Sequence, residues 1–488
     1  MDISELIKKA REEGADIIGE LKAKSITLPS WESLKKEYEP SLHPVMDESA
    51  YPDVVLYEER LSETETDKFG NPVVVKVAIG TEKVSRVTYA LQKLAAKRTT
   101  ELCFGIPVKR IYKPQNDKQK DVAKYLEAIF ERTRIDSINI DRGIKLFASC
   151  EFFTLWYGVQ QENDIYGFNS KLKMRCATFS PMTGDELYPL FDEYGDMVAM
   201  SFAYTRRVKD VDISYFDTYT ADTHIRWSNE ETAGNGGTGA MKIVVDEKIE
   251  TGGKIPGVYC YRPLPVWEDA SPLVYEMEWA VSRNGNYLRS NSRPILAAYV
   301  NEEIGWNKSP STDKAFKDIL QFPQGSQLQY VTWQQAIDNL KFYVYELRQM
   351  FFTQLQLPDW SYENMKTSPM SGEARKQLFI DCHLKVKDES GRLIEALNRE
   401  VNVVKAFLKV MQPSLAKEID ALPVENVITP YVITDDKDTV ELLLLKNGNK
   451  PLTSQQESIQ EYGESEDVER TMALIRSEGM VDAMGLAE

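Results

Sequence analysis

One long apolar period constrains this chain more than any other feature. Phe379, Cys382, Val386, Leu393, Leu397, Val401, Val404, Leu408 and Met411 recur at spacings that place them on a single helical face. Counted from Ser371, the run spans about forty residues, against about a dozen for an ordinary globular helix. Ser390 and Gly391 sit near its middle, the kind of pair at which a long helix kinks. A second period, Ile337, Leu340, Val344, Leu347, Phe351 and Leu355, precedes it and ends at Pro358. Between the two lies a loop with no charged residue from Lys366 to Glu373. A plain helical hairpin inside a globular core would carry the same pattern, so the rest of the chain has to decide.

At 488 residues the chain exceeds one comfortable core, which implies about two to four subdomains. No run of about eighteen apolar residues occurs, so no transmembrane helix is expected. The opening MDISELIKKAREEG is charged and amphipathic, without the apolar core of a signal peptide. Cys103, Cys150, Cys176, Cys260 and Cys382 are scattered, with no CxxC pair. That argues for a reducing compartment and against structural zinc or a disulfide framework. The net charge of −17 excludes the broadly basic surface of a protein that grips nucleic acid all over.

Along the chain, residues 3–23 read as an amphipathic helix and 28–70 as an extended arm with a short strand at Val54–Tyr57. Residues 73–80 read as a strand. Val84, Val87, Leu91 and Leu94 share a helical face, and two further helices cover 117–134 and 137–150. From Glu151 the pattern alternates and is rich in aromatic and β-branched residues, which predicts sheet. Ser271-Pro272 predicts an N-cap and first turn, with Pro294 stopping that helix. Residues 295–300, a short helix at 312–320 and 327–333 form a small insert before the helix from Gln334. A strand follows Pro413. Three acidic helices close the chain, at 435–446, 454–462 and 466–478, the second with a Ser454/Glu457 capping box.

Few patterns suggest chemistry. GNGGTG (234–239) matches a dinucleotide fingerprint formally, but polar residues precede it and a strand follows, so a hairpin loop is expected. TDDKD (434–438) reads as a cap and an acidic first turn. His383 follows Cys382 on a long helix, where the two side chains point to different faces. No Walker loop, HExxH or GxSxG occurs. No enzyme, cofactor or metal site is expected.

Four passages then fall in a telling order: ELCFGIPV (101–108), FSPMTGDELYPLFDEYGD (179–196), GGKIPGVYCYRPLP (252–265), and Leu357-Pro358-Asp359-Trp360 with Ser371-Gly372-Glu373-Ala374-Arg375. Together with the helix, small α/β insert, helix order, they resemble the portal proteins of tailed double-stranded DNA bacteriophages. Gly257 and Tyr259 depart from the apolar residues more usual there. The resemblance implies an α+β portal fold with a β-rich wing, helical stem, small α/β clip and helical crown, forming a ring. Its parts would be an arm and wing at 1–270, stem helices at 271–293 and 333–357, and a clip at 294–332. The tunnel loop, long kinked helix and wing return would occupy 358–433, and the crown 434–488.

The resemblance implies a homo-oligomer of about twelve copies at one capsid vertex of the virion, assembled in the host cytoplasm without a membrane. It would nucleate head assembly with major capsid and scaffold proteins and dock the terminase large subunit. It would pass, retain and eject double-stranded DNA without sequence specificity, and join the head–tail connector. A ring carrying a charge on the order of −200 would hold a duplex off its walls; ordinary acidic solubility accounts for the same number. Lys366, Thr367, Ser368, Pro369, Met370, Ser371 and Gly372 would face the channel, with Lys366 nearest phosphate. Lys308, Lys314 and Lys317 would dock terminase or connector. Arg283, Arg289 and Arg293 would ring the stem, with Leu340, Val344 and Leu347 in the seam between subunits; solvated surface is the other reading of these basic residues. The alternatives are another virion structural protein, a connector or capsid component, or a nucleotide-binding enzyme using Gly234–Gly239.

Overall fold

The computed structural model describes residues 8, 17–22, 26–66, 72–208, 210–232, 239–291, 295–299, 327–331, 337–359, 380–430, 436–447, 452–462 and 468–485. Helix α1 (Trp31–Tyr38) stands where an extended arm is expected. Ser30 Oγ caps it by accepting from the Ser33 amide at 3.3 Å, and Leu34 and Tyr38 point inward. Strands β1 (Val54–Thr66) and β2 (Pro72–Glu82) form a hairpin much longer than the short strand expected there. Residues 83–90 form no helix, and α2 (Leu91–Phe104) starts only at Leu91. Next come β3 (Lys109–Tyr112), α3 (Asp117–Arg132) and α4 (Ile135–Ser149). The alternating region gives β4 (Glu151–Asn163), β5 (Ser170–Phe179), β6 (Glu186–Phe191), β7 (Met197–Val208), β8 (Val211–Tyr219), β9 (Thr223–Ser228), β10 (Lys242–Lys248) and β11 (Gly257–Tyr261). Helix α5 (Ser271–Asn291) leads to the antiparallel pair β12 (Ile295–Tyr299) and β13 (Gln327–Val331), and α6 (Ile337–Gln354) returns along α5. The long helix is α7 (Ile380–Met411), followed by α8 (Ala416–Ala421), β14 (Val424–Val427), α9 (Asp436–Lys446), α10 (Gln455–Tyr462) and α11 (Val468–Gly485).

Two antiparallel sheets, in strand orders β11-β4-β5 and β10-β9-β8-β7-β6, stack through an aromatic layer. Phe153, Leu155, Leu187, Phe202, Tyr204, Tyr219 and Tyr259 fill it, with Phe179 and Phe202 ring centroids 4.4 Å apart. Alternation explains this: inward residues of facing strands interdigitate while their neighbours point away. On the far face of the larger sheet, Ile17 covers Phe216, Ile225 and Trp227. Two sets of cross-strand polar contacts tie that sheet together. Arg226 donates to Asp217 at 2.7 and 3.0 Å, and His224 lies between Asp217 and Glu247 at 3.4 and 3.2 Å.

The main core gathers α2, α3 and α4 against the apolar stripe of α7. Cys382, Val386, Leu393, Leu397, Val401, Val404 and Leu408 are all buried there, as the period predicts. The helix continues unbroken through Ser390 and Gly391, and Ser390 Oγ donates to the Lys387 carbonyl at 2.7 Å. Strand β14 then pairs with β3, closing the C-terminal side onto the N-terminal half. Strands β9 and β10 pair antiparallel, Ser228 opposite Lys242, so GNGGTG belongs to a hairpin connection. A dinucleotide loop needs a strand-to-helix turn, which this connection does not provide; Gly234 to Thr238 themselves lie outside the described residues.

Candidate functional site

Helices α5 and α6 form the part of the molecule whose surroundings are least even. The root of α5 is held from two sides. Glu37 Oε2 on α1 accepts from Trp267 Nε1 at 3.0 Å and from Ser271 Oγ at 2.9 Å. Ser271, expected as the N-cap, has helical backbone and is the first residue of the helix, so its hydroxyl is free to reach α1. Two turns further, His43 Nε2 contacts the Glu37 carbonyl at 2.8 Å and Nδ1 contacts Glu278 Oε1 at 2.7 Å, with both side chains fully buried. A carbonyl can only accept, so Nε2 carries a proton. The Nδ1–Oε1 contact then needs one proton shared between the two side chains.

The flank of α5 carries a ladder. Residues 83–89 run extended beside it. The Tyr89 amide donates to Glu278 Oε1 at 2.8 Å, the Val87 amide to Ser282 Oγ at 2.9 Å and the Ser85 amide to Asn286 Oδ1. Arg289 donates to the Lys83 carbonyl at 2.9 Å. The rungs match because four helical residues rise about 6.0 Å and two extended residues about 6.6 Å. Gly285 makes the approach possible, since a Cβ there would stand 2.7 Å from Ser85 Oγ. Polar groups at 278, 282 and 286 were legible as an i, i+4, i+8 stripe, but Val84, Val87, Leu91 and Leu94 mimic a helical face and hide the segment that reads it.

On α6 the predicted apolar stripe turns inward. Leu347, Phe351 and Leu355 are buried in the chain's own core, and Leu340 and Val344 are half-buried. Leu347, expected in the seam between subunits, is covered by the main body of its own chain. The opposite side carries Phe342 (66% exposed), Tyr345 (49%) and Met350 (47%), and Leu288 of α5 is 52% exposed.

Arg283 is exposed with its guanidinium 5.8 Å from the Trp279 ring centroid, and Arg289 is committed to the ladder. Arg293, Lys308, Lys314, Lys317 and the loop Lys366, Thr367, Ser368, Pro369, Met370, Ser371 and Gly372 lie outside the described residues.

The long helix is fixed by a different device. Arg142 of α4 donates to both Glu400 oxygens at 2.9 Å, Trp156 Nε1 donates to Glu400 at 3.1 Å, and Asn139 accepts from Arg142 at 2.9 Å. Burial works against the Arg142 charge, but the Glu400 carboxylate outweighs it and holds the guanidinium pKa above its ordinary value. Burial pushes the Cys382 thiol up to about 11, the reverse of what a nucleophile beside His383 needs. Among the described residues no group of three or more His, Cys, Asp or Glu is placed to hold a metal, and no helix is long and apolar enough to cross a membrane.

These features define an α+β protein organised around one long buried helix and a braced, partly uncovered helix pair. The chain belongs to the family described as "Phage portal protein, SPP1 Gp6-like", which matches residues 34–482. That family makes it a portal-type structural protein of a phage-like virion. Among solved structures it is similar to a chain in the neck of an empty gene transfer agent (GTA) particle computed with C6 symmetry (12% identity, TM-score 0.39). It is also similar to chains in the virion of a native GTA particle (11%, 0.37) and in the neck of a native GTA particle computed with C12 symmetry (13%, 0.37). Each similarity covers 76% of this chain and 88% of the other. No curated protein matches the chain.

Proposed function

We propose that this chain is the subunit of a portal ring of about twelve copies, set at one capsid vertex, through which double-stranded DNA enters and leaves the particle. The observation that carries this reading is the uncovered face of Phe342, Tyr345 and Met350 on α6, on a helix pair rooted in a well-packed body. Large apolar side chains left exposed on a braced element suit an interaction surface. In a ring it would meet the next subunit's helix pair through a heterologous contact that closes. The net charge of −17 per copy fits a channel that repels the duplex it passes.

In this reading 1–270 forms the arm and wing, 271–293 and 333–357 the stem, 294–332 the clip, 358–433 the tunnel loop and long helix, and 434–488 the crown. The loop Lys366–Gly372 would face DNA, with small polar residues and a glycine that give way to a moving duplex. Lys308, Lys314 and Lys317 would meet the packaging terminase and later the head–tail connector, and Arg283 and Arg293 would form rings on the stem. Nucleation of head assembly with capsid and scaffold proteins belongs to the same proposal.

Mass photometry and negative-stain imaging of the purified chain test it. The expected result is a closed ring with an axial hole, and a strictly monomeric sample at every salt and protein concentration would end the reading. Deleting residues 366–372 should then leave the ring intact and impair DNA packaging or retention.

A further inference from the structure

A cleft of about 450 Å³ opens where the turn between α3 and α4 faces the β4–β5 hairpin. Arg132, Thr133 and Arg134 line it from the turn, and Tyr157, Lys173 and Arg175 from the hairpin. Register puts Tyr157 directly opposite Arg175, and Val159 opposite Lys173, on the face of the sheet away from the buried Trp156 and Met174. Lys171 continues the same face of β5. Among the described residues, none of Arg132, Arg134, Lys173 and Arg175 has a carboxylate in ion-pair range or a side-chain hydrogen bond. Other cations of the body, such as Arg142, Arg226 and Arg262, are each held by a carboxylate.

Simpler readings cover only part of this. Strand β5 is the edge of its sheet, and edge strands carry cations to discourage edge-to-edge pairing. Arg132 closes α3, where a cation suits the helix dipole. Neither reading explains why two arginines of a turn and two cations of the neighbouring strand line one cleft.

We propose that this cleft binds the phosphate backbone of nucleic acid, as a site separate from the channel loop. Cations at alternate positions of β5 repeat about every 6.6 Å. Lys171, Lys173 and Arg175 thus span about 13 Å, or about four nucleotides at about 3.4 Å per strand. Tyr157 supplies an aromatic face among them, suited to a sugar or an unstacked base. The remote acidic surface does not cancel the site, because the Debye length is about 10 Å at 0.1 M salt. The contacts carry no base-edge readout, so binding would be indifferent to sequence.

The test is fluorescence anisotropy of a labelled 30-base-pair duplex with the full-length chain. Four neutralised phosphates give a salt slope of about −3.6, so affinity should fall on the order of 100-fold between 50 and 200 mM salt. R132E/R175E should weaken binding at least ten-fold and flatten the slope by about two, whereas K36E/K248E, an equal charge change elsewhere, should cost less than about three-fold. R132K/R175K, which keeps the charge, should retain most of the affinity and guards against a folding defect. Equal loss in both charge-reversal variants, or no loss in either, would overturn the proposal. So would polyglutamate displacing the duplex at matched charge, because the site would then take acidic protein. Ring formation is read separately by mass photometry, so failure of this site and failure of the portal assignment give different results.

Discussion

The long helix α7 and the pair α5–α6 solve the same problem in opposite ways. Every apolar position of the α7 stripe from Cys382 to Leu408 is covered by the chain itself, and one buried Arg142–Glu400 pair fixes its rotation. The pair α5–α6 is covered on one side, braced on a second by a backbone ladder, and left bare on a third, where Phe342 and Tyr345 stand out. A helix finished by its own chain can be read as core. One finished on only some sides carries the signature of assembly, and the ladder shows how such a helix keeps its shape while it waits for a neighbour.

The largest effect that would break this contrast is at α7. Glu400→Gln leaves Arg142 buried and uncompensated, so urea unfolding should show a loss of about 3–5 kcal/mol. A loss below about 1 kcal/mol would mean the pair does not fix the helix. At the bare face the expectation reverses. Phe342→Asp with Tyr345→Asp should leave the melting temperature of the isolated subunit nearly unchanged yet raise the concentration needed for assembly at least ten-fold, about 1.4 kcal/mol or more. Mass photometry reads the assembly and scanning calorimetry the fold. A smaller effect sharpens the role of the ladder: Ser282→Ala strands the Val87 amide and should cost about 1–3 kcal/mol, visible as faster hydrogen exchange at residues 83–89 before the body opens.

The smallest effect lies in the sheets. Burial alone would raise the Asp217 pKa, but the hydrogen bonds from His224 and Arg226 and the Arg226 charge hold it below the ordinary value. A depressed carboxylate stabilises the fold above its ordinary pKa of about 3.9 and loses that contribution as pH falls through its folded value. The melting difference between the native chain and Asp217→Asn should therefore be full at neutral pH and shrink below about pH 4.

Much of the fold was legible because periodicity and burial agree. The α7 stripe and the alternation after Glu151 each follow from one local rule, and the Ser454/Glu457 capping box forms as read, with the Glu457 amide 3.1 Å from Ser454 Oγ. What was missed involves two segments at once. Ser30, Trp31, Leu34 and Tyr38 carry a capped helix that a Pro-rich, polar surrounding obscures. The extended run 83–89 is meaningful only beside Glu278 and Ser282, about two hundred positions away in sequence. On α6 the broadest apolar stripe reads as an interface, although the chain's own core claims it and leaves the aromatic residues outside.

The ladder also sets its own length. Each rung gains about 0.6 Å of mismatch between helix rise and extended rise, so after three steps the two tracks have slipped by about 2 Å. A short side chain cannot bridge that slip, and at this point the regular spacing gives way to Arg289, whose long arm reaches a carbonyl instead of waiting for an amide. The geometry behaves as a vernier: the brace can stiffen about three turns of helix, and its last contact, at Arg289, falls in the final turn of α5.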